Sequence, residues 1–335
     1  LVGREHSIQE LAAAYGSAAQ GAVELVLIGG PSGIGKTALV RTVYMDIARA
    51  GRGLLIAGKH DQLARSMPYA AMAEAFGELL RQWLASPPAI LDAWKERIRK
   101  EVGDNARLIA DVVPELTLVM GPLAAVPEVH GEQILNRLKL TWLNFIRAVT
   151  TASPPLVMFL DDMQWADSGT LTIVQTLLTD VERRSLLVIA AYRDGEVPPE
   201  HPFWKLVEAV ADSNATIRRQ TIRALAEAEI QTWLGRTLSR DRNEVAHLAS
   251  LLGHKTNGNP CFLEQLLLAL HRQRHIVRDT ESGQWQWDID AIEKAAATDN
   301  VVTLLTVKVR ELPESTQQLL GLAACAGHQF RLSDL

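Results

Sequence analysis

Little in this sequence points to export, a membrane or a nucleic acid. Only two cysteines are present, Cys261 and Cys325. They lie far apart and in no metal-like spacing, so reduced, buried thiols are expected. No apolar stretch approaches the roughly 18 residues that span a bilayer, and no signal-like segment follows Leu1; a cytoplasmic location is the expectation. The net charge of −5 offers no global attraction to nucleic acid or to an anionic membrane. Long repeats and low-complexity tracts are missing too. The remainder is ordinary: 47% hydrophobic and 22% charged residues permit a large buried core, and 335 residues suit one large or two to three small domains. The chain starts at Leu1 and stops at Leu335 without a tail, which reads as a module cut from a longer polypeptide.

The most informative segment is Gly30-Pro-Ser-Gly-Ile-Gly-Lys-Thr37, directly after the apolar run 24–29. It matches G-x-x-x-x-G-K-[ST] in the order strand, glycine-rich turn, helix. A chain of this length meets the pattern by chance about once in a hundred. The physical reason for the pattern is anion binding. Gly30, Gly33 and Gly35, with Ser32 and Ile34 between them, let successive backbone N–H groups turn inward. A helix starting near Lys36 points its positive end the same way. Lys36 supplies a point charge to the outer phosphates, and the Thr37 hydroxyl suits Mg²⁺. The ligand class expected is therefore a nucleoside triphosphate with Mg²⁺.

Alternation of short apolar runs with helical patterns predicts a parallel sheet. A polar-capped helix over 7–20 precedes strand 24–29. A helix over 36–50 and a short strand at 54–57 follow. Residues 68–147 read as helical, broken at Pro87-Pro88, Gly103, Pro114 and Gly121-Pro122, and look like an insertion. Trp83, Trp94 and Trp142 fall there at apolar helix positions and read as core. Strands at 156–160, 186–191 and 215–221 complete a five-stranded sheet, with Asp167 or Ser168 capping a helix to about 180 and another helix at 203–211. After 222 the pattern is helical, over 226–239, 242–253 and 260–273. A short hairpin follows at 276–278 and 285–287, and helices return from 301. The expected organisation is α/β, a P-loop NTPase domain over 1–222 with a helical insertion at about 68–150, then a helical domain with the hairpin over 223–298, then residues 299–335.

A phosphate loop needs a metal-holding acid at the tip of a neighbouring strand. Asp161 ends an uninterrupted apolar run, the mark of a central parallel strand; Asp162 could orient or deprotonate the attacking water. The plain alternative for the pair is a solvated strand end. Arg193 closes the next apolar strand. Adjacent parallel strands end at one sheet edge, so Arg193 could reach a γ-phosphate or its water; the alternative is a salt bridge to Asp194 or Glu196. His271 and His275 stand four apart on an expected helix, but with no acid or cysteine nearby a solvated basic face is the better reading.

Several motifs together resemble one class, the STAND class of AAA-type NTPases. Leu1-Val-Gly-Arg-Glu5 looks like its "hhGRE" element. Asp161-Asp-Met-Gln-Trp-Ala-Asp-Ser168 resembles its extended Walker B segment, Ala191-Tyr-Arg-Asp194 its first sensor, and Asn257-Gly-Asn-Pro-Cys-Phe-Leu-Glu264 its "GNPFFLE" element. The likeness covers essentially the whole chain. It is closest to the ATPase modules of bacterial proteins that join a serine/threonine kinase-like region to a sensor histidine kinase, with LuxR/MalT-type regulators related. The resemblance implies that Val2, Gly3 and Arg4 line the adenine and ribose, and that Gly33, Gly35, Lys36, Thr37 and Ala38 hold the phosphates. It further implies that Thr37 and Asp161 serve Mg²⁺, Asp162 the water and Arg193 the γ-phosphate, and that Pro260 couples a helical lid to the nucleotide. The segment from 299 would begin a winged-helix-like domain, truncated at 335.

Two departures from AAA-type motors stand out. The second acid is Asp162 where Glu is usual, and the helix at 203–211 offers Lys205 but no arginine finger. Both favour a slowly hydrolysing ATP/ADP switch inside a larger signalling protein. Its partners would be other domains of the same polypeptide (kinase-like, histidine kinase or transcription-regulator outputs), with self-association possible. The alternatives are an oligomeric motor or loader acting on nucleic acid or protein, and a binding module in which the nucleotide only stabilises the fold.

Overall fold

The computed structural model describes residues 1–49, 54–62, 68–126, 132–150, 155–180, 185–280, 282–295, 309–310 and 312–326. The elements run α1 (Glu5–Ala19), β1 (Val23–Gly29), α2 (Lys36–Arg49), β2 (Leu54–Lys59), α3 (Ala70–Leu84), α4 (Pro88–Val102), α5 (Ala106–Ala110), α6 (Glu115–Met120) and α7 (Glu132–Thr150). Then come β3 (Leu156–Asp161), α8 (Ser168–Thr179), β4 (Leu186–Ala191), α9 (Pro202–Ala211) and β5 (Thr216–Thr221). The last group is α10 (Glu227–Leu238), α11 (Ala246–Thr256), α12 (Pro260–Arg272), β6 (Ile276–Arg278), β7 (Trp285–Trp287), α13 (Ile289–Ala295) and α14 (Glu314–Ala326).

The chain forms two compact units. One holds residues 6–29 and 37–221; the other holds 1–5, 30–36 and 222–335. The first is built on a five-stranded sheet in the order β2-β3-β4-β1-β5, every pairing parallel. Its inner strands are largely apolar, apart from Glu24 in β1 and the terminal Asp161 of β3, because helices cover both faces of a parallel sheet; β3 and β4 are buried at every residue. β5 differs. It is an edge strand with alternating exposure, and its Arg218 pairs at 3.0 Å with Glu24, which is 2% exposed. That ion pair satisfies a charge which would otherwise be buried alone.

The expected helical insertion is α3 to α7. Pro88 occupies the first turn of α4, where its missing N–H is harmless, and Gly103 ends that helix at φ +57°. Phe76, Trp142 and Phe145 pack edge-on and tilted at 5.3–6.0 Å, contacts each worth about 1 kcal/mol beyond area burial. Trp83 and Trp142 are buried, and Trp94 stacks on Trp83 at 4.3 Å, so the tryptophans are core as expected. The second unit has its own core, formed by Leu234, Leu248, Leu252, Leu263 and their neighbours, with the short antiparallel hairpin β6–β7.

Three expectations are corrected. α1 starts at Glu5, so Ser7 lies inside it instead of capping it. α11 starts four residues later than expected and runs to Thr256, where Asn257 at φ +50° ends it. α12 stops at Arg272, and Arg274 at φ +60° turns the chain away, so His271 and His275 do not share a helix. The His271 ring instead bonds the Ile276 carbonyl at 2.9 Å. The helices expected from 301 fall partly on residues 301–308 and 327–335, which lie outside the described residues; α14 begins after Pro313.

Candidate functional site

Gly30, Gly33 and Gly35 all adopt positive φ, at +148°, +74° and +99°. That is the conformational reason for glycine at these positions, since a side chain would be strained there. The loop they shape leads into α2. The Lys36 ammonium, 7% exposed, donates to the carbonyls of Gly30 at 2.7 Å and Pro31 at 3.0 Å. The loop thus carries its cation folded against its own backbone. Ile34 is buried, Ser32 and Ala38 are exposed, and Val2 is half-buried.

Two other segments grip this loop. Arg4, 8% exposed, donates to the carbonyls of Arg223 at 2.8 Å, Gly3 at 3.1 Å and Ile34 at 3.4 Å. Burial pulls its pKa down, opposed by Glu229 and Glu5. Gly3 has φ +66°, and a Cβ there would collide with the Glu229 carboxylate. Glu229 also accepts the Ala226 N–H at 2.7 Å at the start of α10. The second grip is the N-terminus of α12. Asn259 caps it, accepting from the Cys261 N–H at 3.1 Å, and its own amide donates to the Ser32 carbonyl at 2.9 Å. The Cys261 N–H also reaches the Gly33 carbonyl at 3.3 Å. A Cβ on Gly33 would lie 2.9 Å from the Cys261 Cβ. Pro260 is the first residue of α12, and the residues on either side of it make these loop contacts. Cys261 is exposed, contrary to the expected buried thiol, because its position on the helix's first turn faces away from the core. The side chain of Cys325 lies outside the described residues.

In the sheet unit, β3 and β4 run side by side, with Leu160 opposite Ala190. This brings the residues just beyond them together. The Thr37 hydroxyl donates to Asp161 Oδ2 at 2.6 Å, and the Asp162 N–H donates to Asp161 Oδ1 at 3.0 Å. A hydroxyl beside a carboxylate is a hard-oxygen pair of the kind Mg²⁺ takes. Among the described residues no group of three or more His, Cys, Asp or Glu could hold a metal. A cation at this pair would draw its other ligands from water or phosphate.

Asp162, 5% exposed and at φ +55°, sits in a nest of partners. Lys59, the last residue of β2, reaches Oδ2 at 3.3 Å; Arg193 reaches Oδ1 at 3.3 Å; Gln164 Nε2 donates to Oδ1 at 2.9 Å. Burial alone would raise the Asp162 pKa. The Gln164 hydrogen bond and the charges of Lys59 and Arg193 outweigh it and hold the carboxyl below its ordinary value. Arg193 makes the salt bridge weighed for it as the plain alternative, the one to Glu196. Besides Asp162 it binds Glu196 at 2.8 Å, and its guanidinium lies 4.6 Å over the Trp165 ring. Gln164, 1% exposed, accepts the Arg193 N–H at 3.2 Å and so ties the two strand ends together.

Sequence reasoning missed Lys59, Gln164, Asn259 and Glu229 as neighbours of these residues. Gln164 and Asn259 stood inside quoted motifs, so a signal existed. Lys59 and Glu229 are ordinary surface-type residues whose contacts come only from the fold.

A family model described as an AAA ATPase domain matches residues 1–189. Among curated proteins the chain is similar to hybrid signal transduction histidine kinase G of Dictyostelium discoideum. The two are 25% identical over 398 residues, an alignment covering 100% of this chain and 11% of that protein. The chain thus spans about a tenth of that relative's length. Two solved structures are distantly similar. The Aeropyrum pernix Orc1 protein, in complex with DNA, has 14% identity and a TM-score of 0.47, with 97% of this chain and 72% of that one covered. A Pyrococcus horikoshii STAND protein with a tetratricopeptide repeat sensor has 14% identity and a TM-score of 0.42, with 96% and 34% covered. Neither structural likeness is close enough to carry a functional argument. The family match, spanning more than half of the chain and including the glycine-rich loop, the acid pair and the start of β4, decides the question: this chain belongs to the AAA ATPase domain family.

Proposed function

We propose that this chain is a STAND-type ATP/ADP switch, a module of a longer signalling protein that hydrolyses ATP slowly. The observation that carries the reading is the pair of hydrogen bonds from the start of α12 to the Ser32 and Gly33 carbonyls. A helix anchored on a phosphate loop feels any change in that loop's shape. Two nucleotides that shape the loop differently then bias two positions of the helical domain, which is all a switch requires.

In this reading the backbone N–H groups of 30–35, with Lys36 and Ala38, hold the phosphates. Val2, Gly3 and Arg4 line the base and ribose side, and Pro260 belongs to the lid. Thr37 and Asp161 hold Mg²⁺, which supplies charge neutralisation on the phosphate oxygens. Asp162 positions water, and Arg193 meets the γ-phosphate. The slow rate follows from the nest around Asp162. A carboxylate held below its ordinary pKa between two cations is a weak base. Lys205 is the only cation on α9, so that helix offers no arginine to a neighbouring copy. The domains proposed are 1–222, 223–298 and the start of a winged-helix-like domain from 299. The similarity to a signal transduction histidine kinase supports a place beside kinase domains of the same polypeptide.

The test is nucleotide content and turnover of the purified chain. Tightly held, copurifying ADP and a rate far below one per second support the switch. Fast hydrolysis stimulated by self-association or by DNA, falling steeply with salt, would favour the motor or loader instead.

A further inference from the structure

The sheet unit contains a cavity of about 660 Å³ that the functions above do not use. It opens among the loop before α3, the middle of α7, the first turns of α8 and the start of α9. Its volume is in the range that accepts a small organic ligand. Leu138, Ile173, Tyr69 and Pro202 give it apolar walls. Its charged residues are Lys139 and Asp167. Asp167 already accepts three hydrogen bonds, from the Tyr69 N–H at 3.3 Å, the Thr170 N–H at 2.9 Å and the Thr170 hydroxyl at 2.6 Å. Lys139 is half-buried and makes no ion pair among the described residues. Asp167 keeps its charge but its oxygens are occupied, so Lys139 is the charged group of the wall with hydrogen-bonding capacity left for a ligand, and a chamber with apolar walls and such an ammonium suits an apolar body bearing an acid group.

Two residues of the wall lead to the acid pair. Gln164 lines the cavity, and its side chain holds Asp162 at 2.9 Å and the Arg193 N–H at 3.2 Å. His201 lines it too. Its Nδ1 accepts the Phe203 N–H at 3.2 Å, which leaves the proton on Nε2 to be donated to the Gln164 carbonyl at 3.1 Å. A molecule seated against His201 therefore presses on Gln164, which contacts both Asp162 and Arg193.

We propose that this cavity is an effector site for a small apolar acid, and that occupancy changes the hydrolysis rate through Gln164. The binding half stands on the cavity alone; the coupling half rests on the roles proposed for Asp162 and Arg193. The probe is 8-anilinonaphthalene-1-sulfonate, titrated by fluorescence with saturating ADP present so that the phosphate loop is not its site. Its uncharged counterpart is N-phenyl-1-naphthylamine. Saturable sulfonate binding is expected, weakened at least ~10-fold by Lys139→Glu and abolished by Thr172→Trp, which fills the chamber from α8. The neutral probe should lose affinity only in Thr172→Trp. Lys139 is only half-buried and makes no ion pair among the described residues, so Lys139→Glu is expected to keep its fold, checked by circular dichroism, even if Thr172→Trp does not. Sulfonate affinity unchanged in folded Lys139→Glu overturns the site. Sulfonate that binds as expected but leaves wild-type hydrolysis unaltered overturns the coupling. A chain with no hydrolysis at all would instead refute the reading of Asp162 and Arg193 and leave the binding result intact.

Discussion

Backbone conformation shapes the phosphate loop, whereas side-chain charge shapes the acid pair. In the loop, three glycines at positive φ set the geometry, and the contacts made by Arg4, Asn259 and the Cys261 N–H all end on carbonyls. Around Asp162 the contacts are between side chains drawn from the ends of three strands. The difference teaches where each region is vulnerable. A backbone-built site tolerates changes of surface charge and fails when its glycines or its lysine change. A charge-built site keeps its fold and changes its chemistry when one partner is neutralised.

The largest effect should come from Lys36→Ala. Its ammonium is the one charge within the loop, and charge-assisted contacts to two phosphates are worth about 4 kcal/mol together, or ~1,000-fold in affinity. Calorimetric titration with ADP checks this. Affinity within a few-fold of wild type would mean that the loop binds phosphate by backbone alone and would break the comparison in the opposite sense.

The same contrast explains what could be read in advance. The five strands were legible to within one or two residues, because a buried parallel strand is an unbroken apolar run and a phosphate loop is a local pattern. Gly30, Gly33, Gly35 and Lys36 lie within seven residues of one another, so their geometry is written in one segment. Lys59 and Asp162 are 103 positions apart and meet only because β2 pairs with β3 in the register that sets Lys59 opposite Asp161. Asn259 shows the middle case. Its motif was visible, but the resemblance placed the lid coupling on Pro260, whereas the residue before it makes the contact.

Acid should expose the charge-built side next. His60, directly after β2, is 4% exposed, and its Nε2 has no hydrogen-bond partner among the described residues. Burial pushes its pKa from 6.5 down to about 4, with Asp167 and Asp162 pulling the other way. The unfolded chain takes up this proton near pH 6.5 and the folded chain only near pH 4. Stability is therefore unaffected above pH 6.5, falls as pH drops from 6.5 to 4, and levels off below, with a total loss of about 3 kcal/mol. Denaturant melts of wild type and His60→Leu across that window should diverge, the variant's curve being flatter by roughly this amount. Parallel curves would show that the imidazole is solvated.

Asp162→Asn should lower hydrolysis by ~100-fold, the lower range for loss of a group that handles the water's proton, while ADP affinity stays within a few-fold. Single-turnover kinetics with pre-bound ATP separate the two. The size of the drop matters as much as its direction, since Lys59 and Arg193 already hold this carboxylate as an anion. A drop below ~3-fold would assign the water to another group and leave Asp162 as an anchor for Arg193.

The smallest expected effect is also the one aimed at the switch itself. Asn259→Ala removes one amide-to-carbonyl hydrogen bond on Ser32 and the cap of α12 together. Each is worth about 1 kcal/mol, so the melting temperature should fall by only a few degrees and the phosphate loop should still bind ADP. What should change is discrimination. If α12 reads the loop through Asn259, wild type and variant will differ in the ratio of ATP to ADP affinity by ~5- to 10-fold, the scale of one lost coupling contact. Asn259→Asp separates capping from reading: an aspartate still caps the helix but cannot donate to the Ser32 carbonyl. Loss of discrimination in both variants locates the coupling in that donated hydrogen bond. Loss in Asn259→Ala alone locates it in the stability of the α12 N-terminus, and the loop would then sense the helix through Cys261 and Gly33.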